Sequence, residues 1–333
     1  MSKRVTYKAW QVSKPGGDFR EMPIARSHPG ANQALVRIHA SGVNPLDTKI
    51  RAGKAGHARQ PLPAVLGVDM AGTGEEVGAG VTGFQTGDEV YGMAGGVGGL
   101  PGTLAEAIVA DADLLGRKPK NLSMREAAAL PLSTITAWEG LVDRARVQAG
   151  QTVLVHAGAG GVGHIAIQLA RALGARVFAT VSAEKKRIVE DFGAVAIDYR
   201  STTVEQYVAE CTGGKGFDIV YDTVGGETLD ACFLAVKRYT GHVVSSLGWG
   251  THSLAPLSFR GATYSGVFTL LPLLTGENRA HHGRILTEAA ALAEDGRLTP
   301  LLSERRFGVT DLEAAYARVE TGSLGKVVIE IER

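Results

Sequence analysis

The sequence predicts an α/β chain in which a doubly wound parallel sheet is joined to a β-rich module, a partly open barrel. Three observations carry this. An apolar run, Val153-Leu-Val-His156, meets a glycine turn and then Ile165, Ile167, Leu169, Ala170 and Leu173 at helical spacing, which reads as strand, tight turn, helix. From Ser123 onward strands alternate with helices, the pattern of a parallel sheet. Before that the chain is strand upon strand with glycine turns, the pattern of a barrel and not of a helical bundle.

The central turn, Gly158-Ala159-Gly160-Gly161-Val162-Gly163, fits Gly-x-Gly-x-x-Gly. In that pattern the first glycine serves the turn, the second admits a pyrophosphate, and the third lets helix and strand pack closely. The pyrophosphate of a dinucleotide is expected on the helix N-terminus, where free N–H groups and the positive dipole end favour an anion.

A chain of 333 residues has room for roughly two domains at ~150 residues each. Lys and Arg number 35 against 34 Asp and Glu, a formal net charge of +1, so no global field draws in nucleic acid or an anionic membrane, and neither partner is expected. Two cysteines, Cys211 and Cys232, are too few for a disulfide framework or a cysteine-rich zinc site, which fits a reducing, cytoplasmic setting. The stretch from Met1 to Trp10 lacks a secretion signal's apolar core, and no later run approaches the ~18 apolar residues of a membrane span. Glycine stands out at 44 residues, well above the ~7% average, as a turn-rich module requires.

Taken in order, Ala34-Leu-Val-Arg-Ile-His-Ala40 alternates as a half-buried strand, and Glu89-Val-Tyr91 follows a Gly87-Asp88 turn. Gly92 to Gly102 has no period and reads as a mobile loop placed over a substrate. Ser123-Met-Arg-Glu126 is a capping box opening a helix from Arg125 to Leu130, and a second helix is expected around Ala137 to Val142. Further strands are expected at Ala175 to Thr180, Ala194 to Asp198, Phe217 to Tyr221 and Gly241 to Ser246, with helices such as Thr228 to Val236 between them. After about residue 262 come Thr263-Tyr-Ser-Gly-Val-Phe268, a helix from Gly283 to Asp295 and a last strand, Lys326 to Ile331. That strand needs a sheet and is expected to return to the first domain, giving residues 1–122 with 263–333 as one domain and 123–262 as the other.

Five stretches in this order, Gly42-Val-Asn-Pro-Leu-Asp-Thr-Lys-Ile-Arg51, Gly67-Val-Asp-Met-Ala-Gly72, Gly87-Asp-Glu-Val-Tyr-Gly92, Ala157 to Gly163 and Gly325-Lys-Val-Val-Ile329, resemble the medium-chain dehydrogenase/reductase superfamily. Within it the chain resembles the zinc-free quinone oxidoreductase and enone reductase branch. That resemblance implies a GroES-like β-barrel catalytic domain split around a Rossmann domain, NADPH as cofactor and a homodimer built through the Rossmann sheets. Where the zinc alcohol dehydrogenases of the superfamily carry a cysteine ligand this chain has Asn44, and where they carry a histidine it has Val68. Asparagine is a poor zinc ligand and valine none, while a catalytic zinc needs three protein ligands, so no metal is expected.

Asn44, Pro45 and Asp47 read as a helix start, with a favoured N-cap, a first-turn proline and an acid at the third position. The resemblance also puts Asn44 and Asp47 beside the nicotinamide, and capping and function are compatible. Lys49 stands where some quinone reductases have tyrosine and resembles the enone reductases; in a cleft it can donate to an enolate oxygen, on a surface it is merely solvated. Thr136 matches the threonine near the nicotinamide carboxamide, against the alternative of a helix threonine bonded to its own turn. Ser182, Lys186 and Tyr199 match positions that bind the 2′-phosphate of NADPH, whereas an NAD enzyme places an acid near the second strand's end. The competing reading has solvated lysines and Glu184 holding a ribose. Thr223, Ser246, Leu247, Gly248 and Phe268 lie at strand ends where a parallel sheet binds ligands. His28, His57, His281 and His282 have no partner at ligand spacing and are expected on the surface.

The expected activity is NADPH-dependent hydride transfer to a quinone or an α,β-unsaturated carbonyl, with hydrogen-bond donors in place of a metal. Its rivals are a non-catalytic NADPH-binding protein of the same fold and a zinc-free alcohol dehydrogenase, the latter disfavoured because alkoxide formation wants a Lewis acid.

Overall fold

Residues 6–322 and 324–331 are described by a computed structural model; residues 1–5, 323, 332 and 333, which include part of the stretch read for a secretion signal, lie outside them. In chain order the first elements are β1 (Thr6–Val12), β2 (Phe19–Ala25), β3 (Gln33–Val43), α1 (Pro45–Arg51), β4 (Ala64–Val65), β5 (Asp69–Val77), β6 (Glu89–Met93), β7 (Ala107–Asp111), β8 (Leu115–Arg117) and α2 (Met124–Ala128). There follow α3 (Pro131–Trp138), β9 (Thr152–Val155), α4 (Gly161–Ala172), β10 (Arg176–Val181), α5 (Lys186–Asp191), β11 (Val195–Asp198), α6 (Val204–Thr212), β12 (Ile219–Asp222), α7 (Glu227–Ala235), β13 (His242–Ser245), α8 (Ala255–Ser258) and β14 (Thr263–Gly266). The chain ends with α9 (Leu271–Thr275), α10 (Arg279–Glu294), β15 (Phe307–Gly308), α11 (Leu312–Glu320) and β16 (Val327–Glu330). The chain divides into two units, Met1–Leu132 with Leu270–Gly296 and Pro300–Arg333, and Ser133–Thr269 with Arg297–Thr299.

The first unit is β-rich. A seven-stranded sheet runs β15-β16-β3-β5-β6-β8 with β7 also on β3, and a three-stranded sheet runs β2-β1-β4. The long strand β3 is its spine: register shifts at Leu35/Val36 and Ile38/Ala40 break its pairing with β5, bending the strand as bulges do. Those breaks also disturb the simple alternation expected for Ala34 to Ala40, and Ala34, Leu35 and Val36 are all buried. The last strand, β16, pairs antiparallel with β3, Val327 opposite Val43.

The second unit is a six-stranded sheet ordered β11-β10-β9-β12-β13-β14, parallel throughout. Numbered within the unit this is 3-2-1-4-5-6, the Rossmann order, which places ligands beyond the carboxyl ends of the strands near β9 and β12. Leu154, Phe178, Phe217, Val220, Phe233 and Val243 form part of its core.

Several sequence expectations need correcting. The unit boundary falls after Leu132 because α2, capped by Ser123 as expected, packs on β3 and β5 of the first unit. Thr263–Gly266 belongs to the second unit as its sixth strand, paired with β13. The Gly92–Gly102 stretch is packed and bonded, with Ala94 N–H donating to Val68 O at 2.8 Å, Gly96 N–H to Pro101 O at 3.0 Å and Gly98 N–H to Ala58 O at 2.9 Å; backbone bonds, which leave no side-chain period, organise it. His282 is fully buried, because it shares a helix face with Ile285, Leu286, Ala289 and Ala293 of α10.

Candidate active site

In the second unit the turn after β9 is held by backbone bonds: Gly158 N–H donates to Thr180 O at 2.9 Å and Gly160 N–H to Ala157 O at 2.8 Å. The left-handed residue is Ala157, at φ 53°, so the turn does not draw on glycine for its backbone twist. Close approach is what demands glycine. A Cβ on Gly158 would lie 2.6 Å from Ala179 Cβ, and one on Gly163 would lie 2.2 Å from Ala157 O. Gly160 and Gly161 are exposed, Ala159 and Val162 partly so, and Gly160 caps α4 without a side-chain bond. Among the described residues no N-cap side chain competes for the first N–H groups of α4, which suits them to an anion such as a pyrophosphate.

The carboxyl ends of β10 and β11 lie side by side. Ser182 is buried, Lys186 opens α5, and Tyr199 is exposed at the end of β11. Arg200 lies 5.7 Å from the Tyr199 ring centroid and 3.6 Å from Glu184. Bonds from its own N–H and from the Ser182 hydroxyl hold the Glu184 carboxyl below the usual range. Glu184, the competing ribose ligand, is thus already engaged, and Arg200 adds a cation that the sequence reading missed.

Further along the edge, Thr223 Oγ1 donates to His156 O at 2.8 Å and Ser246 N–H donates to Asp222 O at 3.1 Å. Leu247 N–H is bonded to Ser245 Oγ at 3.1 Å, a Cβ on Gly248 would strike the Tyr264 hydroxyl at 2.1 Å, and the Phe268 ring meets Trp249 edge-on at 6.3 Å. The organiser is Asp222, also missed: fully buried, it accepts from Val224 N–H and Gly225 N–H at 2.9 Å and from Ser245 Oγ at 2.6 Å. Thr136 Oγ1 meets Thr269 Oγ1 at 3.1 Å, which in turn donates to Glu139 at 3.2 Å. His156 is buried with its Nδ1 3.1 Å from Thr180 Oγ1, and burial pushes its pKa down to about 4.

In the first unit Asn44 caps α1, its N–H donating to Asp47 Oδ2 at 2.8 Å. Its side chain is engaged elsewhere: Nδ2 donates to Asp69 Oδ2 at 2.9 Å and Oδ1 accepts from the Lys326 ammonium. Lys326 also lies 3.5 Å from Asp69 Oδ2, and Asp69 Oδ1 accepts Leu132 N–H at 2.9 Å. All four side chains are buried. Burial pushes the Asp47 carboxyl up to about 7, with the Asn44 N–H opposing, Asp69 adding to the rise and Lys326 opposing it; burial likewise raises Asp69 against Lys326 and Asn44. Asp47 Oδ1 has no hydrogen-bond partner among the described residues. Lys49, two residues on, is exposed, since residues two apart do not share a helix face; its charge, after burial, lowers the pKa of His57. So Asn44 and Asp47 are brought together and Lys49 is not. Asp69 and Lys326 lay within the quoted family stretches, but nothing local marked them as partners.

A dinucleotide cradle and a Rossmann-ordered sheet define a nicotinamide-dependent oxidoreductase. The chain belongs to the medium-chain dehydrogenase/reductase superfamily: the alcohol dehydrogenase GroES-like domain matches residues 30–120 and the zinc-binding dehydrogenase family matches residues 161–275. The chain is 36% identical to a 2-methylene-furan-3-one reductase of Solanum lycopersicum over 97% of its own length and 78% of the relative's. It is 34% identical to a chloroplastic NADPH-dependent alkenal/one oxidoreductase of Arabidopsis thaliana, over 97% and 79% of the two chains. A crystal structure of an alcohol dehydrogenase superfamily protein from Novosphingobium aromaticivorans is similar at 55% identity and a TM-score of 0.96, covering 98% of this chain and all of that one. Among the described residues no helix is long and apolar enough to cross a membrane.

Proposed function

We propose that the chain reduces a quinone or an α,β-unsaturated carbonyl with NADPH and without a metal ion. The observation that carries this is the cofactor edge: an uncapped helix N-terminus, then Ser182, Lys186, Tyr199 and Arg200, with the nearby acids engaged, Glu184 by Arg200 and Ser182 and Asp198 by the Arg200 N–H at 3.1 Å. Charge-assisted bonds from such groups suit a 2′-phosphate. The likeness to a reductase and an alkenal/one oxidoreductase supports the same substrate class.

When bound, reduced nicotinamide supplies the hydride. The turn Gly158–Gly163 would hold the pyrophosphate, and the hydroxyls of Thr136, Thr223 and Ser246, with Leu247, Gly248 and Phe268, would line the nicotinamide and ribose. As the substrate carbon gains hydride, its carbonyl oxygen takes the negative charge, and a preorganised N–H donor is worth about 2.7–4 kcal/mol there. Lys49, whose side chain is exposed, is the donor we assign and the source of the final proton, with Asn44 and Asp47 beside the nicotinamide. The residues do not fit zinc: Val68 is apolar, and the Asn44 oxygen is already capped by an ammonium.

The β14 edge, which among the described residues pairs only with β13, supports a homodimer, since an open edge invites pairing. The two free thiols support a reducing, cytoplasmic setting. The deciding experiment follows the loss of reduced-nicotinamide absorbance with a naphthoquinone, simple enones and aldehydes, using NADPH and NADH. Turnover of quinones or enones with NADPH is expected; binding without oxidation would end the proposal, and a clear NADH preference would end its cofactor half.

A further inference from the structure

The backbone twist of the dinucleotide turn falls on a residue ill suited to it. Ala157 sits at φ 53°, a conformation open to glycine at no cost and unfavourable for a residue that carries a Cβ. Its carbonyl is the support on which α4 starts: it accepts Gly160 N–H at 2.8 Å, and a Cβ on Gly163 would meet it at 2.2 Å. Whatever fixes Ala157 therefore fixes the helix end that suits a pyrophosphate. Thr180 of β10 does so at two points. Its Oγ1 accepts Ala157 N–H at 3.2 Å, and its backbone O accepts Gly158 N–H at 2.9 Å. The Thr180 hydroxyl is in turn held by His156, whose Nδ1 lies 3.1 Å away. Among the described residues Thr180 Oγ1 has these two partners alone. One of them is an N–H donor, so the hydroxyl hydrogen goes to Nδ1 and a lone pair stays turned toward Ala157. His156 is itself pinned, its N–H donating to Tyr221 O at 2.9 Å and its O accepting from Thr223 Oγ1 at 2.8 Å. Its ring is buried, and Nε2 has no partner among the described residues. A half-bonded imidazole in a core calls for a reason, and its bond to Thr180 supplies one.

We infer that Thr180 and His156 are positioning residues for the dinucleotide turn: acting through Ala157, they hold it, before any ligand arrives, in the shape that receives a pyrophosphate. This rests on the reading of the turn as the cofactor cradle and is independent of which carbonyl is reduced. The pyrophosphate is common to NADPH and NADH, so the brace serves both equally, unlike the groups at the ends of β10 and β11.

The test titrates NADPH and NADH separately, by fluorescence, against wild type, Thr180→Val, Thr180→Ser and the double variant Thr180→Val with Ala157→Gly. Valine keeps the shape and removes the hydroxyl. A turn correctly set about a tenth of the time binds about 10-fold more weakly, and that loss is expected for both dinucleotides alike. Serine is expected to restore wild-type affinity. So is glycine at 157 in the valine background, because glycine takes the left-handed twist without the brace. Unchanged affinity in Thr180→Val, or a loss that glycine does not relieve, overturns the inference, since a threonine serving folding alone would move the melting temperature and be indifferent to residue 157. Should Thr180→Val not fold, wild type without cofactor still decides. By NMR its Ala157 N–H is expected to exchange with solvent deuterium far more slowly than the N–H of the exposed Gly161, and equal rates overturn the brace. Slow exchange in a wild type that binds neither dinucleotide sinks the cofactor role and the cradle reading together while leaving the brace.

Discussion

Asp47→Asn is expected to stabilise the chain at neutral and alkaline pH. Asp47 is fully buried, with one carboxyl oxygen bonded to Asn44 N–H at 2.8 Å and the other without a partner among the described residues. Burial, against the Asn44 N–H and with Asp69 adding, raises its pKa from the usual 3.8 to about 7. An acid held more tightly protonated when folded costs stability as pH rises: nothing is lost below 3.8, the deficit grows between 3.8 and 7, and above 7 it is constant. A span of about three pH units at ~1.36 kcal/mol each makes that deficit roughly 4 kcal/mol. Asparagine keeps the oxygen that accepts the Asn44 N–H and carries no charge to bury. Urea unfolding of parent and variant across this pH range measures the difference, which also cancels the opposite pH dependence of His156. The variant's advantage is expected to widen with pH and level off near 7; parallel curves would refute burial of an ionisable Asp47 as the cause.

His156 works in the other direction: its pKa is lowered to about 4 by burial, so its contribution is complete above 6.5 and is lost as pH falls toward 4, about 3 kcal/mol in all. His156→Asn, which keeps a group for Thr180, is expected to flatten that acid limb in the same unfolding series. At the cofactor edge, Arg200→Ala is expected to weaken NADPH about 10-fold, the worth of one bond to a charged group, and to leave NADH unchanged by fluorescence titration. Glu184→Gln, which releases Arg200, is expected to tighten NADPH. Lys49→Ala should lower turnover without changing NADPH affinity, and equal turnover would remove Lys49 from the mechanism.

What the sequence made legible was local. The glycine turn and its flanking strand and helix announced themselves within one run, Val153 to Leu173, because steric demand and periodicity are both short-range signals. Their detail was not: the twist sits at Ala157, and Gly158 is required by Ala179 of the neighbouring strand. The strand Thr263–Gly266 was put in the wrong unit since four residues carry no address beyond their neighbours. His282 was judged by its lack of partner spacing when the helix face it shares with Ile285 and Leu286 was the better guide.

Two misses differ in kind. Arg200 was within reach of sequence reasoning, because it directly follows Tyr199 at the end of β11, which a 3-2-1 strand order puts next to the end of β10. Lys326 was not, since it meets Asn44 across 282 residues of chain, and neither charge nor periodicity encodes such a pairing. A buried lysine is expensive unless its partners are already in place, so this contact is made only once β16 has closed onto β3. The buried Asn44–Asp69–Lys326 cluster is therefore a property of the completed sheet, and truncation before β16 is expected to abolish turnover while the second unit still binds NADPH, a separation that cofactor titration and a rate assay would read directly.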